Sequence, residues 1–493
     1  MLKSKLYTKM FIFAAALILS AFPAISCSQN DGAHNGNSEA SDERTGMDNP
    51  AVSENKAENP ADRYGDNLGE YDFCGEEFKI HTMDTGGVHY LVDVEEESGD
   101  TLNDAIYRRN REIEERFNVA IKQILQTVDY PRKPILAGDS SAFDVFHSLT
   151  TNAMDYWTEG LAHSYETIPN IDLSKPYWCQ YANDTLTVAG HQYVAIGEFT
   201  ISAFDLAHML IFNKDMIKDF SLENPYALVK DGKWTFDKMD EMMKQAISDL
   251  NGDGVMDKND RYGFLSEERE VLPCFWISAG ELSVKKDEND IPYLALGEER
   301  FLSVFQKVFN ITWDNGAYFS AKDHSSTLPQ AIRDMFSNAQ SLFMNMTFFY
   351  MESMRMTEID FGVMPYPKFD ENQKNYVTRV EWYNPIQVPV TNQDLERAGV
   401  IIEALNSYSA KYVVSAYYDI ALKNKYSRDD ESVEMLDLIS ATRIMDIGDT
   451  VLCGYIRDNF MWSMFEKNKR DFVSEIEKTQ GVIEKFIDKI PKN

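Results

Sequence analysis

Positive charge is scarce in this chain. Its 493 residues carry 48 Lys and Arg against 80 Asp and Glu, a formal charge of −32. Nucleic acid is held by neutralising phosphates with Lys and Arg, so that class of partner is excluded, as is a body lying flat on anionic lipid. Cysteine is sparse too: five residues, Cys27, Cys74, Cys179, Cys274 and Cys453, at wide spacings that build no metal cluster. The last four are either buried thiols or disulfides in one of three pairings. HExxH, GxSxG and GxxxxGK[ST] are all missing, and the eight histidines are scattered. The zinc-protease, nucleophile-elbow and phosphate-loop signatures are therefore absent. There are no internal repeats. The apolar run Phe11 to Ala21, broken only by Ser20, falls short of the roughly 20 residues a membrane-spanning helix needs.

What is present supports a large folded body. Hydrophobic residues make up 44% of the chain and aromatics 12%, enough for a sizeable core. At the N-terminus, Lys3, Lys5 and Lys9 precede the short apolar run, which reads as a signal peptide over residues 1–26. Ala24-Ile25-Ser26-Cys27 resembles a bacterial lipobox, with Ala where Leu is usual. The expectation is cleavage before a diacylated Cys27, with simple secretion as the alternative. Cleavage removes three lysines and no acids, taking the formal charge from −32 to −35. Residues 27–68 are polar, rich in Asn, Ser, Glu, Asp, Gly and Pro, and read as a flexible tether. The folded body is expected over 69–493.

Within the body, alternation in "EEFKIHTM" predicts a strand. "TLNDAIYRRNREIEERF" has helical spacing, with Thr101 as a cap. A second strand opens at Val119, and a short buried one lies around Phe143, Val145 and Phe146. Strands alternating with helices imply α/β architecture. Met209 to Phe212 reads as an apolar strand leading into a helix near Asp215. Thr235 caps a further helix whose face is Phe236, Met239, Met243, Ile247 and Leu250. "IDFGVMPYPK" and "NPIQVPV" are strands, and the chain is mostly helical from Leu395.

Two stretches carry chemistry. "DLNGDGVMDKND" places Asp249, Asn251, Asp253, Val255, Asp257 and Asp260 at positions 1, 3, 5, 7, 9 and 12 of an EF-hand-like loop, with Gly254 at the sharp turn. Position 12 is Asp rather than Glu, and a strand rather than a helix is expected to follow. The loop is expected to hold a structural Ca²⁺; the alternative is a bare solvated loop. In "VEWYNP", Glu381, Trp382 and Tyr383 set a carboxylate beside aromatic faces. That combination suits sugar stacking and hydroxyl recognition, a glycosidase pair, or ordinary packing.

The order and spacing of further pieces resemble the extracellular solute-binding proteins of ABC importers, in the group carrying sugars and oligosaccharides. The pieces are "LNDAIYRRNREIEERFNV", "GEFTIS" followed by "LIFNKDMI", "NPYALVKDGKWTFDKM", "MFSNAQSLF", "DFGVMPYPKFDENQKNY" and "YYDIALKNKYSRDDESVEMLDLI". The resemblance implies a two-lobed, type II periplasmic-binding-protein-like fold with ligand in the cleft. It implies one lobe of about 70–205 plus 341–388 and a second of about 206–340 plus 389–493. Acidic loops of the kind above occur in that group as structural elements. By the placement of loops in that fold, Thr85, Gly86, Ser148, Thr150, Asn152, Glu198, Trp276, Thr347 and Phe348 join Glu381, Trp382 and Tyr383 as ligand-contact candidates. The resemblance further implies a non-enzymatic monomer on the outer face of a cell membrane, Gram-positive, that delivers a carbohydrate to permease subunits. An anchored carbohydrate-active hydrolase and a ligand-presenting sensor partner are the alternatives.

Overall fold

The computed structural model describes residues 64–83, 92–320, 328–381, 383–426 and 429–489. The signal peptide, Cys27, residues 28–63 of the expected tether, Thr85, Gly86 and Trp382 lie outside them; residues 64–68, also expected in the tether, belong to the folded body, where Tyr64 and Leu68 pack against the first lobe's core and Arg116 pairs with Asp66 at 2.6 Å. Two sheets organise the body. The first is built from β1 (Glu76–Met83), β2 (Val119–Gln126), β3 (Val145–His147) and a late strand, β12 (Ile386–Gln387), in the order β12-β3-β1-β2. β1 is parallel to both β2 and β3, and β12 runs antiparallel to β3. Alternation in β1 drives Phe78 and Ile80 into the core at 0% exposure. The helix Thr101–Phe117 makes the crossover to β2. Its cap is Asp100, which accepts from the backbone N–H groups of Leu102 and Asn103. Thr101, expected in that role, is already in the first turn.

The second sheet comprises β4 (His208–Asn213), β5 (Tyr262–Ser266), β8 (Tyr318–Ser320), β9 (Ser341–Thr347) and β10 (Phe361–Met364), ordered β10-β4-β9-β5-β8. β5 is parallel to β8 and β9; β4 is antiparallel to β9 and β10. Smaller pairs are β6 (Val284–Lys286) with β7 (Pro292–Leu294), and β11 (Thr378–Arg379) with β13 (Arg443–Ile444). β4 is buried on both faces, as its unbroken apolar run requires.

This pairing corrects the lobe boundaries expected from the sequence. Residues 341–364 lie in the second sheet, because β9 and β10 pair with β4 and β5. The helix Leu395–Tyr408 packs on the first lobe, where Val400, Ile401 and Leu405 share a core with Phe78 and Phe117. The chain returns to the second lobe with the helix Asp430–Ala441, which packs on β10. It therefore passes between the lobes near residue 206, near residue 381, and again between residues 408 and 430. The first two crossings run antiparallel, bridged at Ala207 and Val380, with Glu381 N donating to Leu206 O at 3.3 Å.

Thr235 caps the helix Phe236–Ala246 by accepting from Lys238 N, as expected. That helix ends before Leu250, whose side chain is 48% exposed in the acidic loop. Cys74, Cys179, Cys274 and Cys453 are all free thiols. Among the described residues no helix is long and apolar enough to cross a membrane.

Candidate functional site

Parallel strands present their carboxyl ends to one side, and α/β proteins bind ligands there. In the first sheet, β3 ends at His147 and continues into Ser148–Asn152. In the second, β5 ends at Ser266 and β9 at Thr347. Between these ends runs the second crossing, which carries Glu381.

The crossing is stitched to the first lobe. Ser148 N donates to Pro385 O at 3.2 Å, and Ser148 Oγ donates to Gln387 Oε1 at 2.8 Å. Thr150 Oγ1 donates to Tyr383 O at 2.7 Å and accepts from Tyr383 N at 3.0 Å. Next to this seam lies a small cavity of about 20 Å³, room for about one water molecule, lined by Leu149, Thr150 and Thr151 from the first lobe, Glu381 from the crossing, and Asp449, Thr450, Cys453 and Arg457 from the second lobe.

Behind the cavity is a buried ionic network. Asp449 accepts from Arg379 Nε at 2.5 Å and from Nη2 at 2.9 Å, a two-pronged pair at 0% exposure for the acid. Arg379 also binds Glu270 through Nη1. Arg457 Nη1 reaches Glu381 Oε1 and Asp449 Oδ1, each at 3.2 Å, and its Nε donates to Asp458 at 2.8 Å. Arg269 joins Asp458 at 2.9 Å and Glu381 at 3.3 Å. His208 Nε2 stands 3.5 Å from Glu381 Oε2, and its Nδ1 faces Asn345 Oδ1 at 3.1 Å. That oxygen already accepts from Tyr366 OH at 2.8 Å, so His208 Nδ1 carries a proton.

Burial works against a charged Glu381, but the hydrogen bond to His208 and the guanidiniums of Arg379 and Arg457 overcome it and hold its carboxyl well below the usual range. His208 moves the other way. Burial and Arg379 oppose its charge, and its contacts with Cys274 and Glu381 outweigh them and raise it. Glu267, at the end of β5, is pushed up to about 7 by burial and by the like charges of Glu270 and Glu381.

His208, Glu270 and Glu381 bring ligand atoms within 4.8 Å of one another. Arg379 Nη1 lies among them, 2.9 Å from His208 Nε2, and supplies the positive charge that a metal ion would bring. The network therefore fits a structural ion cluster better than a metal centre. In the acidic loop, Asp249 accepts from Gly252 N at 2.6 Å and Gly254 N at 2.8 Å; Asp260 accepts from Leu250 N at 2.9 Å and Asp257 N at 2.8 Å. Gly252 and Gly254 take φ values of 73° and 81°, the left-handed turn that glycine favours. Bridging of Ser248 with Arg261 closes the loop, and β5 follows it, as expected.

Of the ligand-contact candidates, Thr150 and Glu381 come together at the cavity. Ser148 and Tyr383 lie beside it, tied into the seam. Asn152 Oδ1 and Thr347 Oγ1 are buried with no hydrogen-bond partner. Phe348 is 1% exposed and packs against Tyr418. Glu198 is half-buried in a separate group with Cys179, Tyr181 and Arg443. Trp276 does not face the cleft. It is 1% exposed, its ring lies against Phe301, and its Nε1 donates to Asp446 at 2.9 Å, inside the second lobe. Asp449, Thr450, Cys453 and Arg457, which line the cavity from the second lobe, were not among the candidates named from the sequence. The charged run Glu267–Glu270, set inside the apolar stretch "YGFLSEEREVLPCFWIS", was the legible sign of a buried network.

No protein-family model matches the chain, and no curated protein does. Solved structures do match. One is an ABC substrate-binding protein of Listeria monocytogenes in complex with cycloalternan, 15% identical, with a TM-score of 0.52, covering 84% of this chain and 99% of that one. Another is the sugar-binding protein MalE of Xanthomonas citri, 12% identical, TM-score 0.58, covering 84% and 98%. A third is an extracellular solute-binding protein of Staphylococcus aureus in complex with maltose, 12% identical, TM-score 0.57, covering 83% and 98%. The chain has the fold of these sugar-binding proteins.

Proposed function

We propose that this chain is the solute-binding component of an ABC importer and that its solute is a carbohydrate, held between the lobes and handed to a membrane permease. The observation carrying the reading is the two-lobed fold, shared at TM-scores of 0.52 and 0.57 with proteins solved with cycloalternan and maltose. Capture by closure needs a ligand that contacts both lobes, so that it binds the closed form more tightly than the open one. The direct test is a thermal-shift screen of the folded body against oligosaccharides, followed by calorimetric titration of the best. Turnover of a bound glycan, seen by product chromatography, would instead favour a hydrolase.

Two further proposals concern attachment and stability. Cys27 is the acylated residue, a reading supported by the charged n-region, the short apolar run and the small residues before it. Cells expressing Cys27→Ala should lose the protein from the membrane fraction; equal retention of both forms would refute acylation. The acidic loop holds Ca²⁺ through Asp249, Asn251, Asp253, the Val255 carbonyl, Asp257 and Asp260. Support comes from the all-oxygen donor set and the glycine turns. Ion binding linked to folding adds about 2.7 kcal/mol at a hundred times the dissociation constant. A chelator should lower the melting temperature of the wild type and leave the Asp249→Ala, Asp253→Ala double variant unmoved. A wild type indifferent to chelator would end the calcium proposal.

A further inference from the structure

The cavity at the seam has room for about one water molecule, so no sugar ring fits there. A solute has to lie farther along the second lobe's side of the cleft, and the side chains can be followed in that direction by their contacts. Arg457 Nη1 meets Glu381 on the crossing at 3.2 Å. Asp458, the next residue, accepts from Arg269 Nε at 2.9 Å. One turn on, Trp462 Nε1 stands 3.5 Å from Glu268 Oε2. Gly454–Met461 is a π-helix, whose wider turn keeps Arg457, Asp458 and Trp462 on one side. Glu268 and Arg269 come just after β5 ends at Ser266, the side on which parallel strands bind ligands. Trp462 therefore continues the wall that Arg457 begins, beyond the small cavity.

A single exposed apolar side chain is ordinary. Trp462 is 36% exposed and differs in one respect: its polar edge is set toward a buried carboxylate, so the part left to solvent is the apolar ring. An indole has only two side-chain torsions to fix, and it offers a large rigid contact at low entropic cost. The neighbouring Arg269–Asp458 pair is partly exposed and offers donors and acceptors one turn away. A pyranose ring carries C–H groups on its faces and hydroxyls round its edge, which suits an aromatic ring flanked by polar groups. Resting on the solute-binding reading, we infer that Trp462 is the surface of the second lobe on which a sugar ring of the solute stacks. The contact that Trp276 was expected to make is then made by a residue from the C-terminal helical region.

The experiment is calorimetric titration of the folded body with malto-, cello-, xylo- and galacto-oligosaccharides, repeated with the tightest-binding set on Trp462→Ala and Trp462→Phe. Affinity at least tenfold weaker in Trp462→Ala, and within about threefold of the wild type in Trp462→Phe, is the expected result. Melting curves of both variants separate a lost contact from a lost fold. Should Trp462→Ala not fold, indole emission decides with the conservative variant. Saturating oligosaccharide should change the emission of the wild type, and at least half of that change should vanish in Trp462→Phe. Equal affinity in a folded Trp462→Ala, wild-type emission that does not move at saturation, or a change that survives whole in Trp462→Phe would each overturn the inference and leave the solute-binding reading standing. No binding by any set would overturn the carbohydrate reading, and the inference with it.

Discussion

At Glu403, opposing forces are close enough in size for pH to decide between them. The side chain is fully buried on the helix Leu395–Tyr408, and it accepts from Tyr177 OH at 2.6 Å and Trp178 Nε1 at 2.9 Å. Burial outweighs these donors and pushes the carboxyl up to about 7, from 4.5. Because the folded-state value lies above the unfolded one, the protonated form's stabilisation is complete below about pH 4.5. It is lost as pH rises through 7, a change on the order of 3 kcal/mol. Glu403→Gln should flatten this slope: melting curves at pH 5 and pH 8 should lie closer together than in the wild type. An equal slope in both would remove Glu403 as its source. Trp276 teaches a different lesson. From the sequence it was a ligand-contact candidate, placed by where the resembled fold puts its loops; in the structure it is a core side chain donating to a buried Asp446. Trp276→Ala should cost about 3–5 kcal/mol. Trp276→Phe should lower the melting temperature while leaving solute affinity within about twofold, and a large affinity loss in a well-folded variant would return Trp276 to the cleft.

Elements were legible where local pattern suffices. The alternation of β1, the apolar run of β4 and the Thr235 cap depend on neighbours within a few residues, and all three are found. The Asp100 cap was missed because Thr101 and Asp100 are both good cap residues, and choosing between them takes backbone geometry. Which sheet a strand joins was not legible. "SLFMNMT" is buried whichever strands flank it, and pairing with β4 and β5 is a long-range choice that no local spacing records. The site suffered for the same reason: Thr150 and Glu381 were named, whereas Asp449 and Arg457 reach the cavity from a helical region with no distinguishing pattern. One close contact between elements does leave a mark in the sequence. Gly399 sits in the helix Leu395–Tyr408 where an added Cβ would lie 1.8 Å from Pro169 O. Its role is close approach, since a backbone carbonyl cannot yield as a flexible side chain can. Gly399→Ala should force the helix off that loop and cost about 1–3 kcal/mol. A variant as stable as the wild type would mean that the loop moves freely.

For the molecule as a whole, what matters is that neither lobe is a continuous stretch of chain. The first takes its sheet from β1, β2, β3 and β12, and the second takes β4 through β10 and then the helix Asp430–Ala441. Cut the polypeptide at the exposed turn between β6 and β7, around Asp287 to Asn289, and each fragment owns strands of both sheets. Those halves should stay together through a gel-filtration column as one body, with a melting temperature a few degrees below the intact protein. Elution as two species would contradict the strand order. The same layout means that no truncation of the gene yields one lobe alone. Two separately expressed halves, by contrast, have complementary sheet edges to offer each other, so this fold is suited to be made in two pieces and rejoined without a covalent link.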